Sequence, residues 1–116
     1  MDPIMQFLAE YKTALQDAGR LKAEADYHRD LQEIAYAQAV LEAGDISVAK
    51  AEYVAFASEK YRKATDALHT ARAAAAEAEK TAEHMAARLD TWRSREASRR
   101  LVQQRSGSHG TQETEG

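Results

Sequence analysis

Apolar residues recur every three or four positions from Pro3 to about Ala43, which is the period of an α-helix, and predict a first helix over 3–43. Asp2 followed by Pro3 starts it, because the carboxylate can accept from amides of the first turn and proline there gives up no helical hydrogen bond. The pattern stops at Gly44–Asp45, where glycine can take the left-handed conformation that ends a helix and Asp45 or Ser47 can cap the next. A second helix is predicted over 46–104. Stepping alternately three and four residues from Val54 gives Val54, Ala57, Tyr61, Ala64, Leu68, Ala71, Ala75, Ala78, Ala82, Met85, Leu89 and Trp92. That is a heptad seam with no polar break.

Small residues dominate the middle of this seam, from Ala71 to Ala82, and small residues let a neighbouring helix approach closely. Folding back at Gly44 supplies the neighbour and places opposite one another residues whose numbers total about 88. Ile4, Phe7, Leu8, Tyr11 and Leu15 would then lie against the alanines, large against small.

The first helix carries two stripes. Ile4, Leu8, Tyr11, Leu15 and Ala18 form one, and Tyr27, Leu31, Ile34, Gln38 and Leu41 form the other on a nearly opposite face. One straight partner covers only one of them. The change falls just after Gly19, so either the helix kinks there or a second subunit covers the second stripe in a homodimer. Tyr36, Val40 and Phe56 lie off both seams near the turn, and with Trp92 they are the candidate protein-binding residues. They serve either to dock a partner or to cover the loop.

Composition narrows the class. Of 116 residues, one is proline, none is cysteine, and alanine supplies much of the 44% apolar content, so the chain reads as all-α, a long antiparallel coiled-coil-like hairpin over 1–105. The tail 106–116, rich in Gly, Ser, Thr and Glu, reads as disordered. No secretory leader or membrane span is visible, so the expected location is the cytoplasm, with leaderless export as the other route.

Chemistry is sparse. No two of His28, His69, His84 and His109 stand at helical ligand spacing, and the one Asp66–His69 pair lacks the second pair and the extra glutamates of a di-iron bundle. No phosphate loop, serine elbow or zinc-protease motif occurs. No cofactor, metal or enzymatic activity is expected.

Charge is uneven: residues 1–45 carry nine acids against four bases. Residues 88–105 carry Arg88, Arg93, Arg95, Arg99, Arg100 and Arg105 against Asp90 and Glu96. Arginine suits bidentate contacts to phosphate, and Trp92 offers a stacking face.

Three functional classes follow. The first is a non-enzymatic adaptor, scaffold or inhibitor acting through coiled-coil contacts, of the size of small bacterial or phage proteins. The second is a nucleic-acid-binding accessory using the arginine-rich end. The Gly44–Asp45 turn resembles the inter-helix turn of tetratricopeptide repeats, without a 34-residue repeat to follow it. The size and mid-chain turn are similar to the helical hairpins of WXG100 proteins, which implies a secreted hairpin as the third class. The turn here reads Ala43-Gly44-Asp45-Ile46 in place of Trp-x-Gly.

Overall fold

A computed structural model describes the backbone of residues 2–115 and the side chains of residues 2–106. Among the described residues there are three helices and no strand: α1 (Pro3–Glu42), α2 (Val48–Ala57) and α3 (Glu59–Glu115). The disordered tail expected over 106–116 lies outside the residues described in full. Two compact units are formed, residues 1–82 and residues 83–116.

The helix ends obey the local signals. Asp2 Oδ1 accepts from the Ile4 amide at 3.0 Å with Pro3 at the first helical position. After Glu42 the chain turns through Gly44, whose φ of 76° is the only positive value among the described residues. Ser47 Oγ accepts from the Lys50 amide at 3.3 Å and starts α2.

The second expected helix is in fact two. Ser58 leaves the helical conformation (φ −67°, ψ 145°), and its Oγ accepts from the Tyr61 amide at 3.2 Å, so one serine ends α2 and caps α3. Glu59 follows in the first turn of α3, where a carboxylate is favoured by the helix dipole. α2 packs on α1 as a separate short helix, burying Ala51 and Ala55.

This extra element shifts the pairing of α1 with α3. Gln32 Nε2 donates to Thr65 Oγ1 at 2.9 Å, and Tyr36 stacks edge-on to Tyr61 at 6.0 Å, so facing positions total 97 rather than 88. The cause is that residues 43–58 are spent on the loop, α2 and the Ser58 break, so the return helix starts later than a tight turn at Gly44 implies.

α1 runs through Gly19 without a break. Its inward line keeps Ile4, Tyr11 and Ala18 of the first stripe and runs through Phe7, Ala14, Leu21, Ala25, His28, Gln32, Ala35 and Ala39, each buried or half-buried at three- and four-residue spacing. Leu8, Leu15, Tyr27, Ile34 and Leu41, expected in the stripes, are exposed. Small therefore meets small: Ala18 and Ala25 border the same notch as Ala75 and Ala76. On α3 the predicted seam holds from Tyr61 to Leu89, all of it buried or half-buried, with Leu68 the largest fully buried side chain at 1% exposure. Before Tyr61 it fails, since Val54 and Ala57 belong to α2 and are exposed.

Candidate functional site

At the turn end of the first unit, three rings from three helices meet. Tyr36 of α1 lies 5.2 Å from Phe56 of α2 and 6.0 Å from Tyr61 of α3, and Phe56 and Tyr61 are 5.4 Å apart. Tilted and edge-on pairs of this kind are favourable beyond the area they bury, and this cluster ties α2 to the hairpin. Burial raises the Tyr36 phenol above its ordinary pKa, with the Glu52 carboxylate and Tyr61 adding smaller effects in the same direction. Tyr36 and Phe56 thus come together, and Val40 borders a groove with Tyr36, Leu41, Ile46 and Val48. Trp92 belongs to the other unit.

The outward surface of this end joins Leu41 of the second stripe and the candidate Phe56 to Tyr53, which the periodicity did not single out, and to Val48. Tyr53 and Leu41 are 80% exposed, Val48 76% and Phe56 55%. α2 reads VAKAEYVAFA, with Lys50 and Glu52 its only charges. Apolar residues stand on every side of α2 between these two charges, yet within the described residues only its Ala51 and Ala55 are buried. A shallow apolar depression formed by Ile46, Ala49, Tyr53 and Val54, with the Lys50 stem, opens on the side away from α1. The signal was present in sequence as the scarcity of polar residues over 46–57, where only Ser47, Lys50 and Glu52 are polar; assuming one helix through Ser58 concealed it.

The surface continues onto α1. Tyr27, Leu31, Ile34, Gln38 and Leu41 keep three–four spacing to one side of the packed inner line, with Leu31 half-buried and the other four exposed. The groove at the turn joins Leu41 to Ile46 and Val48, and Ile46 in turn borders the depression with Tyr53 and Val54.

In the second unit, helical geometry puts Arg88, Trp92, Arg95 and Arg99 on one side of α3, Arg93 and Arg100 along another, and Arg105 apart from both. Trp92 is 43% exposed. Arg99 Nη2 donates to Glu96 Oε2 at 2.8 Å, and Arg95 borders a shallow depression with Asp90, Thr91, Ser94 and Ser98.

Among the described residues, no three His, Asp or Glu side chains are placed to hold a metal ion, and no helix is long and apolar enough to cross a membrane. The fold defines an all-α helical hairpin with a short, apolar helix at its turn. No protein-family model matches the chain, and no curated protein or solved structure is significantly similar to it.

Proposed function

We propose that the chain is a non-enzymatic helical scaffold or adaptor that binds protein through the apolar surface at its turn. The observation that supports this is α2, a helix with apolar residues on every side and only two alanines buried. A contiguous apolar surface on a helical protein is a contact surface by default. Coiled-coil chemistry is the natural mode, since α1 presents heptad-spaced apolar residues beside α2. The test is affinity capture from the source cell with wild-type protein and with Tyr53→Glu, each with and without nuclease. A partner kept after nuclease and lost with Tyr53→Glu is expected. Tyr53 is 80% exposed, so its replacement leaves the hairpin's helical signal unchanged. Equal capture by both proteins would remove the surface from the function.

A second reading is favoured by the stripe of Arg88, Trp92, Arg95 and Arg99 on one side of α3. Arginines beside an exposed indole suit a phosphate backbone with a stacked base. Replacing Arg99 and Arg100 by alanine is then expected to lower the salt slope of nucleic-acid binding by about two, with no change in sequence preference. No band shift at low salt ends this reading.

A further inference from the structure

The occupant of the apolar surface follows from its pattern, extent and charge, and we infer that it is a second copy of this chain, docked antiparallel across the outer stripe of α1 with Ile34 at the two-fold axis. This inference rests on the reading that the turn end is a protein-contact surface, and it names the partner.

Pattern comes first. Tyr27, Leu31, Ile34, Gln38 and Leu41 stand at intervals of four, three, four and three residues, the spacing that buries a line of side chains against another helix. α1 is unbroken from Pro3 to Glu42, and its inner line packs on the rest of the hairpin, so the outer stripe requires a helix from outside. Three of its members are evenly placed about Ile34: Tyr27 lies seven residues before it and Leu41 seven after. In an antiparallel pair each Tyr27 meets the partner's Leu41 and Ile34 meets itself, as a two-fold, self-complementary interface requires.

Extent agrees. The exposed Tyr27, Ile34 and Leu41 of the stripe continue at the turn into Ile46 and Val48, which border the same groove as Leu41. α1's stripe alone is only two heptads long, and α2 extends the contact beside Leu41.

Charge sets the direction. Residues 1–45 carry nine acids against four bases, and a parallel pair would lay Asp26, Asp30 and Glu33 beside their own copies. Antiparallel docking about Ile34 sends the acidic starts of the two α1 helices in opposite directions, and leaves Asp26 facing the partner's Glu42 at each end of the overlap.

Because the chain has no cysteine, single introduced thiols report the geometry directly. Ile34→Cys, under mild oxidation at micromolar protein, is expected to form a disulfide-linked dimer at least about tenfold faster than Glu77→Cys on the exposed side of α3, since docking raises the local thiol concentration. Tyr27→Cys is expected to link to Leu41→Cys when the two are mixed, and not to itself. Light scattering of the wild type should give a dimer, and Leu41→Glu a monomer of unchanged helical content. A wild type that is monomeric up to submillimolar concentration overturns the inference, as does Ile34→Cys linking no faster than Glu77→Cys; self-linking of Tyr27→Cys overturns the antiparallel arrangement. Monomeric protein that floats with anionic vesicles would assign the surface to lipid and equally overturn it. If the wild type is monomeric yet Tyr53→Glu loses a captured partner, the second copy is wrong and the contact-surface reading stands; loss of neither removes both.

Discussion

Gln32 shows how much one side chain can decide. It sits in the inner line of α1, where an apolar residue would pack more simply, and its amide donates to Thr65 Oγ1 at 2.9 Å and to the Tyr61 hydroxyl at 3.4 Å. Alanines on both sides offer few distinct shapes, so sliding one helix along the other by a heptad would cost little packing. A half-buried amide that loses its partners costs about 1–3 kcal/mol, and that penalty specifies the register. The expected outcome is a coupling of about 0.5–1.5 kcal/mol between Gln32→Ala and Thr65→Ala in a double-mutant cycle of urea melts. Additive losses would show that the alanine lines set the register by themselves.

At the scale of elements, α1 and the α2–α3 junction teach opposite lessons about breaks. Gly19 was the evident weak point, yet α1 passes through it, and a Cβ built there meets nothing within 4 Å. Its backbone is helical, so Gly19→Ala is expected to stabilise the protein by about 0.5–1 kcal/mol, read as a higher melting temperature, by removing backbone freedom from the unfolded chain. A lower melting temperature would mean that the helix needs to bend at this point. Ser58, by contrast, breaks a pattern that looked continuous. Its hydroxyl offers the Tyr61 amide a partner, and the aromatic cluster of Tyr36, Phe56 and Tyr61 is the tertiary contact that α2 gains by separating from α3. Ser58 followed by Glu59 is a helix-start signal; the seam residues on either side outweighed it in the periodicity.

For the whole molecule, the core is unusually thin. Among the described residues, every buried one apart from Leu68 and Leu89 is alanine, so area removed from water per residue is small, while large apolar side chains remain on the surface. A chain that covers those side chains by association gains stability that depends on its own concentration. The melting temperature is therefore expected to rise with protein concentration over the micromolar range, and Ile34→Glu should abolish that rise while preserving the helical circular-dichroism signal. A concentration-independent melt would place all of the stability within one chain.

The sequence by itself determined what is local. The start at Asp2–Pro3, the left-handed Gly44, the Ser47 cap and the α3 seam from Tyr61 to Leu89 were all legible, because capping, positive φ and heptad spacing depend on residues within a turn or two of one another. Tyr36, Val40 and Phe56 lie near the turn, where their positions in the sequence put them, while the more exposed Tyr53 was not singled out. Only the tertiary structure decided which line of α1 faces inward. Periodicity ranks faces by hydrophobic bulk and so favoured Leu8, Leu15, Ile34 and Leu41, which are exposed, whereas the line of Ala18, Ala25, Ala35 and Ala39 turns inward together with Ile4, Phe7, Tyr11 and Leu21. The offset from 88 to 97 has the same origin: it is fixed by a polar pair and a ring cluster between residues some thirty positions apart, which no spacing within a single helix records.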